Sequence, residues 1–207
     1  LASETCALDM IGAKYVRDIE NGEIIVITEN GIDSIKPFKK IAERPCIFER
    51  IYFASPDSIV GNKTVYTYRK ALGEHLAIEN KVIADVVVPI PDSGVSAAIG
   101  FSQKSKIPFE LGIIRSHYVG RTFIEPSQNI RQFGVKLKHS VNRSCIKNKK
   151  VILIDDSIVR GTTASKIVKM VYEAGAKEVN LGISCPPILH PDFYGIDTPN
   201  YNQLIAS

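Results

Sequence analysis

Two adjacent carboxylates, Asp155 and Asp156, stand at the end of an apolar run and are followed at once by hydroxyls and a glycine. The run is VILID (151–155), and the polar turn after it is SIVRGTT (157–163). Paired carboxylates at a strand end suit the vicinal hydroxyls of a ribose, or a Mg²⁺ ion held through water. Because burial of both charges would carry a large desolvation cost, we expect at least one carboxylate to be exposed.

The residues after the acidic pair have the chemistry of a phosphate-binding loop. Ser157, Thr162 and Thr163 supply hydroxyl donors, and Gly161 lets the backbone come close to a ligand. A helix that begins near Thr163 would point its N-terminal amides at the same loop. Acids for a sugar beside amides for its phosphate predict a ribose 5-phosphate site. Acidic pairs also cap helices and occur in response regulators, so composition alone leaves those interpretations open.

The elements that must position this site alternate between strands and helices. Apolar runs predict strands, and apolar residues at helical spacing predict the helices between them. The predicted strands are 23–28, 85–90, 151–155 and 178–184, and the predicted helices lie in 64–79, 96–105 and 162–176, the last ended by Gly175. This order favours an α/β fold with a largely buried parallel sheet, whose ligands bind beyond the carboxyl ends of the strands.

The first part of the chain has a different pattern. NGEIIVITENGIDSIKPF (21–38) predicts a short β hairpin with Asn30 and Gly31 as its turn. We therefore expect a small N-terminal β appendage, residues 1–45, in front of an α/β domain, residues 46–207.

Composition narrows the class of protein. The chain has 207 residues, of which 44% are hydrophobic and 23% charged, enough for one core. No apolar run reaches the roughly 18 to 20 residues of a membrane span and no signal-peptide layout is present, so we expect a cytoplasmic protein. The cysteines stand singly and predict free thiols; they are Cys6, Cys46, Cys145 and Cys185.

Basic residues concentrate in one segment. Residues 115–150 contain nine Lys and Arg and the single acid Glu125, with aromatic residues among the cations. Such a segment fits a solvated face, nucleic acid, or a compact polyanion such as pyrophosphate.

The order of residues 151–163 resembles the diphosphosugar-binding signature of type I phosphoribosyltransferases, and among these the amidophosphoribosyltransferases. Other stretches are similar to that family too. VPIPDSGVSAA (88–98) resembles its pyrophosphate loop, YVGRTFIEPSQNIRQFGVKLK (118–138) its mobile loop, and HPDFYGIDTP (190–199) its tail. Residues 2–27 resemble the last part of the glutaminase domain that precedes the transferase domain. The resemblance implies the type I phosphoribosyltransferase fold.

The resemblance also implies an activity. These enzymes transfer ammonia, taken from glutamine in the full-length protein, to phosphoribosyl pyrophosphate, giving 5-phosphoribosylamine and pyrophosphate in the first step of de novo purine synthesis. It implies Mg²⁺, purine nucleotide inhibitors and a homo-oligomer, and neither a nucleic-acid nor a membrane partner. One alternative is a regulator that senses the diphosphosugar without catalysis, although no DNA-reading helical domain is visible. Another is a phosphoribosyltransferase with a base as acceptor.

Carried over residue by residue, the resemblance implies a set of roles. Asp155 and Asp156 bind the ribose hydroxyls and Mg²⁺. The residues implied for the 5-phosphate are Ser157, Gly161, Thr162 and Thr163, and those for pyrophosphate are Asp92, Ser93 and Gly94, of which Ser93 also contacts the metal. Tyr118 and Arg121 close from the mobile loop and act in catalysis with the acidic pair. The glycine and polar content of 116–135 predicts a lid that is poorly ordered in an unliganded crystal.

Two departures from the family pattern change what we expect. The family's glutaminase nucleophile is an N-terminal cysteine, but the first residue is Leu1, so the chain as given should not hydrolyse glutamine. Some members bind an iron–sulfur cluster through four cysteines. Cys46 matches one of them and Asp192 replaces another, so no cluster is expected.

Overall fold

The structure, a computed structural model, describes residues 1–116, 139–192, 196, 198 and 200–206. The predicted mobile loop, residues 118–138, lies outside the described residues. Tyr118 and Arg121 lie outside them as well, so the predicted lid stays a prediction.

Short strands and helices alternate along the described chain. The strands are β1 (Ile24–Thr28), β2 (Gly31–Ile35), β3 (Ile59–Val60), β4 (Lys63–Thr64), β5 (Val86–Pro89), β6 (Ile113–Arg115), β7 (His139–Val141), β8 (Lys150–Asp155) and β9 (Glu178–Ile183). The helices are α1 (Thr5–Met10), α2 (Val65–Glu79), α3 (Val95–Ser105), α4 (Arg143–Ile146) and α5 (Thr162–Glu173), with a π-helical turn at Glu49–Phe53 and a 3-10 turn at Tyr201–Gln203. None of the helices within the described ranges has the length and apolar character needed to cross a bilayer.

The centre of the fold is a parallel sheet in the order β5-β8-β9. Side chains alternate between its two faces along β8, and both faces are covered. Leu153 packs with Ile167 of α5 on one face, and Ile152 packs with Phe101 of α3 on the other. The predicted α/β architecture with a parallel sheet is therefore confirmed, and the carboxyl ends of β5 and β8 lie side by side.

The prediction that residues 23–28 belong to the buried sheet is wrong. β1 pairs with β2 in a separate antiparallel hairpin, and of its residues only Ile25 is half-buried. The apolar side chains stay exposed because the helices that cover the sheet pack on β5 and β8 instead. The predicted hairpin itself is present, but Thr28 pairs with Gly31, so its loop is Glu29 and Asn30, one residue earlier than expected.

Two glycines allow α2 and α3 to touch through their backbones. A Cβ atom at Gly73 would lie 1.8 Å from the carbonyl oxygen of Ala97, and one at Gly100 would lie 2.0 Å from that of Lys70. No side chain fits at either point. α3 begins directly after the loop that follows β5. The contact between the helices therefore fixes the position of that loop, which contains the predicted pyrophosphate residues.

The glycine contact predicts the effect of one methyl group. Gly73→Ala should lower the free energy of unfolding by about 2 kcal/mol or more, although alanine favours an isolated helix by roughly 1 kcal/mol, because the added Cβ must push the helices apart. Urea denaturation measures the change. Gln103→Ala, on the exposed side of α3, is the control and should change stability by no more than about 0.5 kcal/mol. Equal stability of Gly73→Ala and the parent chain would contradict the close contact.

Candidate active site

The acidic pair lies where β8 leaves the sheet. Asp155 is the last residue of β8 and is half-buried, whereas Asp156 is only 4% exposed. Their carbonyl oxygens accept hydrogen bonds from the amides that follow β9, Ser184 to Asp155 and Cys185 to Asp156, both at 3.0 Å. The expectation of an exposed carboxylate is thus met only in part, because Asp155 keeps limited access to solvent and Asp156 has almost none.

The two carboxylates have different partners. Asp155 Oδ1 accepts from the backbone amide of Asp156 at 2.9 Å, and Asp156 Oδ1 accepts from the hydroxyl of Ser157. Among the described residues, neither carboxylate has a cationic partner within 4.0 Å. Within the described part of the chain, the pair is therefore held by the local backbone and a hydroxyl and forms no salt bridge.

Burial changes the acidity of this corner. Desolvation raises the pKa of Asp155 to about 7, and the charge of Asp156 raises it further in the same direction. Burial likewise raises the pKa of the nearby Cys185 thiol to about 11, with Asp156 contributing, so this cysteine stays protonated at neutral pH. A cation bound at Asp155 would favour its ionised form and oppose the effect of burial.

A buried arginine interacts electrostatically with Asp156, and sequence reasoning did not identify it. Arg69 of α2 is 4% exposed and donates from Nε to Arg50 O at 2.9 Å and from Nη2 to Ala54 O at 2.8 Å. Burial lowers the pKa of Arg69, while the charges of Asp156 and Glu4 raise it. The helical spacing of Arg69 could have predicted its burial, because it lies on the same face of α2 as the buried residues Val65 and Gly73.

The loop after the acidic pair leads into α5 as the sequence predicts. Gly161 adopts a φ of +71° and caps the helix, and the first helical hydrogen bond runs from Ser165 N to Gly161 O at 3.0 Å. The amides of Thr162, Thr163 and Ala164 precede that bond and point out of the helix end. An anion at this end would meet amide donors and the positive end of the helix dipole.

The predicted pyrophosphate loop packs directly against β8. Asp92 is exposed and Ser93 half-buried, but Gly94 is buried. A Cβ at Gly94 would lie 2.5 Å from the carbonyl oxygen of Ile154, which also accepts the amide of Ile90 at 2.8 Å. The missing side chain of Gly94 thus lets the loop after β5 pack against Ile154, the residue before the acidic pair. This contact brings the predicted pyrophosphate loop next to the predicted 5-phosphate loop.

A cation from β6 reaches the same loop. Arg115 Nη1 donates to Asp92 Oδ2, and the Nε atom of Arg115 is buried with no hydrogen-bond partner in the described part of the chain. Arg115 lies in the basic segment, but a departure from the family pattern just before Tyr118 left it unassigned as a pyrophosphate contact. The structure places positive charge beside the predicted pyrophosphate loop.

The cysteines form no cluster. Cys6, Cys46, Cys145 and Cys185 are all unpaired. Asp192, which the family resemblance aligns with a ligand cysteine of some members, accepts the amide of Ile196 at 3.1 Å and so supports a local turn. No group of three or more His, Cys, Asp or Glu side chains that could hold a metal ion is found among the described residues.

Known enzymes are similar in sequence to this chain over nearly its whole length. No protein-family model matches the chain. The amidophosphoribosyltransferase of Rhizobium etli is 61% identical over 210 residues, which cover 99% of this chain and 42% of that protein. That of Bacillus subtilis is 51% identical over 207 residues and 44% of its length, and the chloroplastic enzyme of Glycine max is 55% identical over 207 residues and 36% of its length. The chain belongs to the amidophosphoribosyltransferase family.

Solved structures agree with this assignment to the amidophosphoribosyltransferase family. The glutamine phosphoribosylpyrophosphate amidotransferase of B. subtilis, complexed with ADP and GMP, superposes with a TM-score of 0.88 at 51% identity, over 99% of this chain and 45% of that one. A structure described as the allosteric regulatory enzyme of purine biosynthesis gives a TM-score of 0.89 at 51% identity, over 99% of this chain and 44% of that one. The predicted type I phosphoribosyltransferase fold is confirmed. The chain spans about two fifths of the length of these relatives.

The raised pKa of Asp155 predicts a stability gain on its neutralisation. A carboxyl whose pKa is higher in the folded chain stabilises the fold fully below its unfolded pKa, and that contribution is lost as the pH rises through the folded value, here about 7. Asp155→Asn should therefore stabilise the ligand-free chain by about 1 to 3 kcal/mol at pH 8 and by much less at pH 4, since about 1.4 kcal/mol accompanies each pKa unit before screening.

Urea denaturation at both pH values measures this difference. Asp33→Asn, in the exposed hairpin, is the matched control and should leave stability within about 0.5 kcal/mol at either pH. An Asp155→Asn effect that is the same at pH 4 and pH 8 would show that folding does not raise the pKa of Asp155.

Proposed function

We propose that this chain is the phosphoribosyl-transfer part of an amidophosphoribosyltransferase, and that it transfers ammonia to phosphoribosyl pyrophosphate to give 5-phosphoribosylamine and pyrophosphate. In the full-length protein the ammonia comes from glutamine. The observation that carries the proposal is the match to a named enzyme at 61% identity over 99% of the chain. The acidic pair and two glycine-containing loops also lie together at one edge of the sheet, and this arrangement fits a sugar that carries phosphate groups.

The ribose 5-phosphate half of the substrate fits the end of β8. Asp155, which keeps access to solvent, accepts hydrogen bonds from ribose hydroxyls, and the buried Asp156 fixes the start of the loop through Ser157. The 5-phosphate binds at the helix end that Gly161 opens. Its contacts are the loop and helix-end groups of Ser157, Gly161, Thr162 and Thr163.

The pyrophosphate half fits the loop after β5. Negative charge grows on this group as it departs, so the pocket needs fixed positive charge and amide donors. Arg115 supplies the charge, and it also neutralises Asp92, whose carboxylate would otherwise repel the phosphates. Ser93 is the hydroxyl of this loop, and Gly94 keeps the loop against β8.

Mg²⁺ fits this donor set as a partner of the substrate. The ion commonly binds proteins through one or two carboxylates and completes its shell with water and substrate phosphates. Asp155 is the accessible carboxylate, while Asp156 is buried and already accepts from Ser157. Ser93, the third residue assigned to the metal, lies on the pyrophosphate side. When bound, the ion would neutralise phosphate charge and favour the ionised form of Asp155.

The reaction itself needs positioning more than a nucleophilic side chain. The bond between the anomeric carbon and the pyrophosphate oxygen breaks with both electrons going to pyrophosphate, and the nitrogen lone pair of ammonia forms the new bond, after which the nitrogen loses a proton. Fixed charges around the leaving group lower the barrier, and exclusion of water protects the activated sugar from hydrolysis. Tyr118 and Arg121 are assigned to this closing step by the family resemblance.

The remaining assignments concern the wider protein. We assign residues 1–45 to the end of a glutaminase domain and 46–207 to the transferase domain, which the separate, exposed β1–β2 hairpin supports. Purine nucleotides as inhibitors and a homo-oligomer complete the proposal, and a B. subtilis relative was solved with ADP and GMP. A cytoplasmic location and the absence of an iron–sulfur cluster stay predictions.

A direct assay tests the proposal. The chain, incubated with phosphoribosyl pyrophosphate, Mg²⁺ and ammonium at mildly alkaline pH, should release pyrophosphate in an ammonium-dependent manner. Asp155→Asn should weaken substrate binding about tenfold or more, because loss of a hydrogen bond to a charged acceptor costs roughly 1.5 to 3 kcal/mol, and Asp33→Asn should match the parent chain. Tight substrate binding without any release would instead favour the sensing role.

The pH dependence of binding tests the role of Asp155. Affinity for phosphoribosyl pyrophosphate with Mg²⁺ should fall about tenfold per pH unit once the pH drops below about 7, because the carboxyl then takes up a proton that binding must release. Calorimetry between pH 6 and pH 8 measures the slope. Asp155→Asn, measured in parallel, reports the titration of the ligand alone and should show a shallower slope. Identical slopes would exclude Asp155 as the titrating group.

A further inference from the structure

We propose that the C-terminal turn, residues 201–205, is a brace for the 5-phosphate loop (157–161), and that Gln203 and Ile205 are positioning residues for phosphate binding. The inference rests on the proposed function, because it concerns how that loop is held in its binding shape. Neither residue belongs to the motifs that identify the loop.

Three contacts join the turn to the loop. The amide of Ile205 donates to the carbonyl oxygen of Val159 at 2.9 Å. The Arg160 side chain donates from Nε to Gln203 Oε1 at 3.0 Å, and its Nη2 contacts the same oxygen. The Cδ1 atom of Ile205 lies 3.0 Å from the point where a Cβ of Gly161 would be, so the side chain covers the glycine. Successive residues of the loop, 159, 160 and 161, are each held from this one turn.

The turn has contacts of its own that hold it in the fold. Leu204 is 6% exposed and anchors it in the fold, and its amide donates to Tyr201 O at 2.9 Å. The ring of Tyr201 meets His190 edge-on with centroids 6.0 Å apart, and the Tyr201 hydroxyl lies 3.2 Å from His190 Nδ1. The turn is thus held by a local hydrogen bond, a buried leucine and an aromatic contact, none of which involves the phosphate loop.

The phosphate loop needs such support for a physical reason. The amides at the start of α5 bind an anion well only when they already converge, because ordering side chains and backbone during binding costs conformational entropy. Gly161 has a φ of +71° in the loop. Because a glycine can adopt many other backbone conformations, contacts from outside the loop are needed to keep it there. With the carbonyl of Val159 and the side chain of Arg160 tied to the turn, the loop has fewer ways to leave that shape.

The test compares two ligands that use different loops. For the parent chain, calorimetry should show binding of ribose 5-phosphate and of pyrophosphate with Mg²⁺. Gln203→Ala removes the acceptor for Arg160 and should weaken ribose 5-phosphate binding about five- to tenfold, somewhat less than the loss of one hydrogen bond to a charged group, because Gln203 acts on the phosphate only through the loop. Pyrophosphate affinity should stay within about twofold, because the loop after β5 is untouched. Gln203→Glu keeps an acceptor and should restore ribose 5-phosphate affinity.

A second pair of variants tests the backbone contact. Ile205→Pro removes the amide that donates to Val159, whereas Ile205→Val keeps it. The proline variant should lose affinity for ribose 5-phosphate selectively, and the valine variant should retain it. Parent-like ribose 5-phosphate affinity in both Gln203→Ala and Ile205→Pro overturns the brace, as does an equal loss for the two ligands. A parent chain that binds neither pyrophosphate nor ribose 5-phosphate overturns the proposed function, and with it the brace.

Discussion

The candidate site depends on the burial of a carboxylate pair at the end of the central parallel strand. Residues 152–154 of β8 are almost fully buried on both faces of the sheet, so the chain reaches Asp155 and Asp156 with little solvent beside it. The consequence is a carboxyl with a pKa near 7 and a second carboxylate close to a buried arginine, Arg69. Such a corner opposes folding, and a ligand that brings hydroxyls and a cation to it would relieve the cost.

Backbone contacts turn this corner into one edge shared by two loops. The carbonyl oxygen of Ile154 accepts the amide of Ile90 and also lies against Gly94, so the loop after β5 cannot move away from β8 without losing both contacts. On the other side, the loop after β8 is tied to the chain's last described turn through Val159. The distance between the two loops is therefore set by main-chain packing, which suits a substrate with a phosphoryl group at each end.

The sequence predicted the strands of the central sheet and the long helices closely, because the physics that forms them is local. The apolar run 151–155 became β8, and Gly175 ended α5 at a φ of +99°, since alternation, helical spacing and glycine conformation are readable in short windows. Contacts between distant segments were not readable. The sequence did not show that the charge of Asp156 would act on a buried Arg69, or that 23–28 would stay apart from the central sheet, because both depend on which surfaces meet in three dimensions.

A crystal structure with ribose 5-phosphate and Mg²⁺ is the most direct measurement. We expect density for one sugar phosphate at the carboxyl end of β8, with its phosphate on the amides of Thr162 and Thr163 and its ring hydroxyls on Asp155. Density for the phosphate at the loop after β5, or for the sugar away from Asp155, would contradict the claim that the acidic pair and the adjoining helix end form a single ribose 5-phosphate site.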